Sequence, residues 1–574
     1  MIKRPALLFL VAWFGLFAAE PAPPPKPILI VLYSRFYDHG HPHTTDERLQ
    51  RLLPLLERLR TQHPQSGISA VLQFSGTVSQ ELNDENAGLH LADKLKDYSS
   101  RGLVDLGYTG EDEPSYLYRP KAALLTADTP EERWAAKAEA AERFLVDFKN
   151  PVTGLPAPGL SGGLKRTQEV FGNGVAFVTG IDRTLGADSP SMNQLRKTTP
   201  TAVVGGIPTA DPRRGITGFE VSAEGFSRFM SPDAAEAPEV FWEDGFLRLS
   251  ATSLPDLKPH TTDEGPEALK KVFAKLDRGH VRVVKLEVSP YLRYLTRRAD
   301  GSVVADPLEW MYYHPDDPVI PSQMHSMAAQ TAIEAGFRQD EATLKWLLEE
   351  FLPANPGSRF ISVRDLAELA ATTDSEVTAE QLKALASNLN EAFDKQPMAP
   401  PNFGRAGDRF FTLAESFNLL TQALASAGKS GSLPKSVALT PMYGPLATPN
   451  GMGPNTGSVP VSEVMKAAAQ LAPKLAETEW KVVPSNAVPV DVQVGSLRLT
   501  ATQFLRLLVR ACLDPSPSKI LQVNGATLQS RAAFMFPKNT PITDQGNSWT
   551  FKPAPLRVGA KETSGAPAGA AGSR

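Results

Sequence analysis

The sequence predicts an α/β fold: an irregular (β/α)7-8 barrel followed by a mainly helical repeat domain. Three observations carry this. Short apolar runs alternate with amphipathic helical stretches from Ile28 to about Ala371, the pattern of parallel strands with crossover helices. No Gly-x-Gly-x-x-Gly turn follows the first apolar run and no P-loop is present, which weighs against a nucleotide-binding open sheet. Near Thr373 the texture changes, and a helical pattern then occurs twice. A chain of 574 residues also exceeds one ordinary core.

"ILIVLY" at Ile28 to Tyr33 is apolar throughout, as a strand buried on both faces would be. "TDERLQRLLPLLERLRTQ" reads as the amphipathic helix that follows, "ISAVLQFSG" as a strand and "LHLADKLKDYSSRG" as a helix stopped by glycine. "LVDLGYTG" is the third strand. "TPEERWAAKAEAAERFLVDF" opens on a Thr-x-x-Glu-like cap and predicts a long helix. Later strands are "VAFVTGI", "TAVVGGI", "VRVVKLEV" and "EVFWEDGFLRLS", the last a hairpin turning at Asp244-Gly245. "RFISVRDLAELA" is a final strand or loop feeding a short helix.

After Thr373, two segments share one order: helix, proline-containing connection, glycine turn, then a helix beginning "TLAESFNLL" or "LTATQFLRLL". They read as repeats over 373–427 and 459–555, separated by a Pro/Gly-rich loop at 428–458. The tail, 556–574, is small and polar and predicts disorder. The barrel takes 28–371.

At the other end, "MIKR", an apolar run and Ala18-Ala19 have the layout of a secretory signal peptide over 1–19, with a Pro-rich linker at 20–27. The expected location is therefore secreted, periplasmic or in the cell envelope. The membrane is involved only if the signal segment stays uncleaved. A net charge of −4 argues against a dedicated nucleic-acid binder. Cys512, the one cysteine, lies in an apolar helical pattern and is expected to be buried.

Chemistry is expected just past the C-terminal ends of the barrel strands. There "FYDHGHPHTTDER" places His39, His41 and His43 at alternate positions beside Asp38. In an extended segment this spacing puts the three imidazoles on one side, a donor set for a divalent metal, zinc first; a plain polar loop is the alternative. Glu111, Asp112 and Glu113 follow the third strand as candidate acid/base carboxylates. Arg119, Asp182 and His314 are candidate substrate-binding residues, His314 among aromatics able to stack on a sugar. No Gly-x-Ser-x-Gly motif marks a serine hydrolase.

By strand order and by the motifs "YSRFYDHGHPH" and "GYTGEDEPSY", residues 27–371 resemble the polysaccharide deacetylase-like (NodB-homology) superfamily of irregular barrels. The resemblance implies a metal-assisted deacetylase, with Asp38 as base or metal ligand. Thr109 and Glu113 stand where that family carries two metal-binding histidines. "VSEVMKAAAQLA", "VPVDVQVGSLRLTATQFLRLL" and, more loosely, "PPNFGRAGDRFFTLAESFNLL" resemble pseudomurein-binding repeats, which implies a polysaccharide or cell-wall glycan partner. The alternatives are a non-catalytic glycan-binding envelope protein on the same barrel, or a glycoside hydrolase using two carboxylates.

Overall fold

The computed structural model describes residues 25–36, 42–84, 89–109, 162–172, 175–179, 203–205, 240–243, 245–249, 265–276, 278–288, 327–371, 375–395, 401, 403–440, 442–445, 455–476, 486–524 and 549–558. In the first part, strands β1 (Ile28–Phe36), β2 (Ala70–Phe74), β3 (Val104–Thr109), β4 (Val175–Thr179) and β5 (Val203–Gly205) are successive parallel neighbours. β6 (Val240–Glu243) and β7 (Phe246–Leu249) form a hairpin turning at Gly245, with β7 parallel to β5. β8 (Arg282–Glu287) lies parallel to β1 on its other side, and β9 (Arg359–Phe360) joins the start of β1. Among the described residues no ladder joins β8 to β6 or β7.

The helices are α1 (Pro42–Gln62), α2 (Gly76–Asp84), α3 (Leu91–Ser100), α4 (Gly162–Phe171), α5 (Gly265–Lys275), α6 (Met327–Trp346, continuing through a π turn) and α7 (Val363–Ala370). Residues of one parity in the strands (Ile30, Leu32, Leu72, Leu106, Leu286) pack with apolar residues of α1 to α6. The opposite parity (Leu29, Val31, Tyr33, Val71, Val283) packs with α7. Among the described residues, six helices lie on one face and the strands pair largely in chain order, a singly wound arrangement. A doubly wound sheet would divide its crossover helices between the faces.

One detail differs from the sequence reading. Helix α1 begins at Pro42, three residues earlier than expected, because proline at a first helical position loses no needed N–H. His43 is therefore in a helical turn, and the alternate spacing on an extended segment cannot run through all three histidines. The long helix expected at "TPEERWAAKAEAAERFLVDF" lies outside the described residues.

A second core begins at Val377. Its first unit is β10 (Glu376–Thr378), α8 (Ala379–Lys395), β11 (Gly404–Ala406), β12 (Arg409–Phe411), α9 (Leu413–Ser430) and β13 (Ser436–Ala438). The second is β14 (Gly457–Pro460), α10 (Val461–Leu475), β15 (Asp491–Val494), β16 (Leu497–Thr500), α11 (Ala501–Leu513) and β17 (Ile520–Val523). In each, the outer strands pair antiparallel and the inner two form a hairpin. The helices cross between units: α8 packs chiefly on α11, and α9 on α10. Neither unit owns a separate core. Cys512 is buried within this shared one, and burial pushes its thiol well above the ordinary range.

The division drawn from composition changes in two places. β13 lies inside the stretch read as a loop at 428–458, its turn residues concealing a strand of only three positions. Residues 549–558 belong to both parts. Trp549 is buried in the second core, while β18 (Lys552–Pro553) pairs antiparallel with β6. Ala554, Leu556 and Val558 rest on the α7 side of the sheet, so a tail starting at 556 begins too early. This strap is pinned by a buried ion pair, Lys552 Nζ to Glu415 Oε1 at 2.7 Å and Oε2 at 2.9 Å.

Candidate active site

The connections of the first part are unequal. Those from helix to strand are short: 101–103 after α3, 172–174 after α4 and 276–281 after α5. Those from strand to helix or to the next strand include 110–161 after β3, 180–202 after β4, 206–239 after β5 and 289–326 after β8. In βα folds, functional side chains collect on that C-terminal edge, while the opposite edge serves stability.

Asp38, His39 and His41 lie between β1 and α1, and His43 is in the first turn of α1. Glu111, Asp112, Glu113 and Arg119 follow β3, Asp182 follows β4, and His314 follows β8. Apart from the backbone of His43, all lie outside the described residues. Their chain positions all follow C-terminal strand ends. β1 and β3 flank β2, so the strand ends preceding Asp38 and Glu111 stand roughly 10 Å apart by ordinary strand spacing.

Arg48 secures the near side of the 37–41 connection. It is buried on α1, donates from Nη2 to the Arg35 carbonyl (2.7 Å) and to Ser34 Oγ (3.3 Å), and lies 4.1 Å from the centre of the Phe36 ring. Phe36 stacks on Phe74 at 5.0 Å, and Phe74 meets Phe171 at 5.1 Å. Both ends of the connection bearing the histidines are thus fixed.

Towards this edge the face opposite α1 to α6 turns polar. Alternation from Val31, Val71 and Val283 brings Tyr33, Arg35, Gln73 and Lys285 to that face. Arg35 pairs with Gln73, and Gln73 with Gly107. A Cβ on Gly107 would meet Gln73 Cγ and the Phe177 carbonyl at 2.8 Å each, so only glycine lets Gln73 lie across β3. Lys285 Nζ is 5.0 Å from the Tyr33 ring centre, a cation–π distance. Thr109 closes β3, buried. The set contains hydroxyl, amide and cationic hydrogen-bonding groups; Tyr33, Gln73 and Thr109 are buried, and Arg35 and Lys285 are half-buried. Sequence reasoning missed these residues. Their signal was a polar residue on alternate positions late in an apolar run: Tyr33 and Arg35 in "ILIVLYSRF", Gln73 in "AVLQF", Lys285 in "RVVKLE".

Asp105 sits at the other edge. Its Oδ2 accepts from Val363 N at 2.8 Å and its Oδ1 lies 3.3 Å from Arg364 Nε. Burial raises its pKa, against the Arg364 charge and the backbone N–H groups of α7. It anchors α7 to the sheet. Among the described residues no three His, Cys, Asp or Glu side chains converge as a metal site, and no helix is long and apolar enough to cross a membrane.

No protein-family profile matches the chain, and no curated protein matches it in sequence. Solved structures that overlap it include a 4-alpha-glucanotransferase from Thermococcus litoralis, at 12% identity and a TM-score of 0.21, covering 71% of this chain and 53% of that one. Another is a GH57 branching enzyme from Thermococcus kodakaraensis, at 11% identity and a TM-score of 0.24, covering 61% and 72%. The chain thus spans about half the length of the glucanotransferase. Overlaps this loose decide neither fold nor chemistry.

Proposed function

We propose that the chain is a secreted or periplasmic glycan-processing protein of the cell envelope, a deacetylase-like hydrolase on a barrel with wall-binding C-terminal units. The observation that carries this reading is the edge itself. The candidate catalytic residues follow strands that end on one side of a singly wound sheet, above Tyr33, Arg35, Gln73 and Lys285.

In this reading Arg35 and Lys285, the half-buried cations of the polar face, meet the glycan, and a carboxylate (Asp38, or one of Glu111 to Glu113) takes the proton of the attacking water. Arg119, Asp182 and His314 contact the glycan. Asp38, His39, His41 and His43 have the donor chemistry of a divalent site, zinc first. A metal bound there would lower the pKa of water and polarise the amide carbonyl.

Metal content and acetate release from acetylated chitooligosaccharide and peptidoglycan test this together. The expected result is a stoichiometric metal and acetate release, with release abolished in Asp38→Asn and the metal lost in the double variant His41→Ala, His43→Ala. Absence of both metal and acetate release sinks the deacetylase. Fractionation that finds the protein in the cytoplasm removes the envelope location.

Thr109, buried at the end of β3 where the deacetylase pattern has histidine, favours a second reading: a glycan-binding barrel without hydrolysis. Glycan binding with no metal, no acetate and no new reducing ends would select it. New reducing ends without metal would select a glycoside hydrolase instead.

A further inference from the structure

The two C-terminal units place different residues at one position. Counting from the capping threonines, Thr412 and Thr500, the same two turns hold Asn418 and Gln422 in α9 but Arg506 and Arg510 in α11. The amides are engaged within the protein: Asn418 Nδ2 donates to Thr440 Oγ1 at 2.8 Å, and Gln422 Nε2 to the Ala472 carbonyl at 2.9 Å. The fold therefore does not require cations at this position.

Both guanidinium groups reach the same oxygen of Asp394, near the end of α8. Arg506 Nη2 is 3.4 Å and Arg510 Nη2 3.5 Å from Asp394 Oδ1. These contacts are long for charge-assisted pairs, which close to about 2.7–2.9 Å. Arg498 does so with Asp491 at 2.7 and 2.9 Å in the nearby hairpin. Asp394 also stands at a helix C-terminus, where the dipole repels a carboxylate. Its other oxygen accepts from Asn390 Nδ2 at 2.9 Å. The carboxylate is loosely held, with its side chain 53% exposed. Arg506 is fixed beneath it, 7% exposed and 5.7 Å from the Phe393 ring centre, while Arg510 is 26% exposed.

We propose that Arg506 and Arg510 form a binding site for the carboxylate of an acidic wall glycan, a site that Asp394 occupies in the free protein. The ligand carboxylate replaces Asp394 on the outward side of Arg510 and then meets Arg506. This rests on the wall-binding reading of the C-terminal units and adds the class of sugar, a uronate.

Calorimetry of the full chain with trigalacturonate at low salt tests it, with maltotriose as neutral control. The wild type should bind trigalacturonate and not maltotriose. Arg510→Gln should weaken binding about tenfold or more, the loss of one charged hydrogen bond. Asp394→Asn should tighten it about threefold by removing the internal competitor. That opposite sign separates a site from a merely structural cluster, and melting curves of both variants report folding. No binding by the wild type, unchanged affinity in Arg510→Gln, or no tightening in Asp394→Asn overturns the site. Stronger competition by acetyl-Glu-Glu than by trigalacturonate overturns the glycan assignment. Binding to isolated wall sacculi is measured in parallel. Sacculus binding that persists while trigalacturonate fails overturns only this inference, and its absence from the wild type removes the wall-binding reading on its own.

Discussion

The first and second C-terminal units have the same six elements in the same order, and both second helices begin with the same reciprocal cap. In unit one Thr412 pairs with Glu415, and in unit two Thr500 pairs with Gln503. A carboxylate and an amide serve the cap equally well, so the difference must answer to something outside it. Glu415 receives Lys552 of the strap, whereas Gln503 donates to the carbonyls of Asn455 and Asn524 within its own unit. Unit one has become the seat for the connection to the sheet. Unit two, which carries Arg506 and Arg510, has become the candidate binding surface. Duplication supplied the scaffold, and charge divided the work.

The largest test of this division is truncation before Trp549. It removes two fully buried aromatic side chains, Trp549 and Phe551, each worth about 3–5 kcal/mol. Hydrogen exchange should show α9 opening before α11, and equal loss in both would break the comparison. Next is Glu415→Gln. With side chains only 9% and 11% exposed at Lys552 and Glu415, it strands a buried ammonium and should cost about 3–5 kcal/mol in chemical denaturation. Gln503→Ala should cost about 1–2 kcal/mol. Similar costs at the two sites would mean that the strap contributes nothing special to unit one.

Gly404 supplies a smaller test. A Cβ there would collide with Leu385 of α8 and lie 2.9 Å from Ser416 Oγ, while the matching position of the second hairpin holds Val492. Gly404→Ala should destabilise by about 1–3 kcal/mol through overpacking, although alanine suits a strand better than glycine does. A neutral effect would show that α8 can retreat. The smallest test is also the control. Thr412→Ala and Thr500→Ala each remove one cap and should cost about 1 kcal/mol, equally in the two units.

Which parts were legible in the sequence follows from the range of the forces involved. Strands β1, β2 and β8 announced themselves because each is apolar over most of its length, and the two capped helices α9 and α11 because their signals are local. β13 and β18 did not, since strands of three and two residues exist only through partners distant in sequence. The crossing of α8 with α11 and of α9 with α10 was equally hidden, because one apolar stripe fits either neighbour. At the candidate site, the hydrophilic connections drew attention to Asp38, the histidines and the Glu111 cluster. Arg35, Gln73 and Lys285 were overlooked because they lie inside strands read as core. The argument from alternate histidine spacing failed at His43 for a local reason, the helix-starting proline before it.

The strap also sets a timetable. β6 has Phe241 and Trp242 waiting for a neighbour that is encoded about 300 residues later. At ordinary synthesis rates that delay is roughly 15 to 60 s, during which the strand presents an unpaired edge able to recruit another chain. A ribosome stalled anywhere in the C-terminal units would leave a nascent protein with that edge still open. That edge is covered only when β18 arrives.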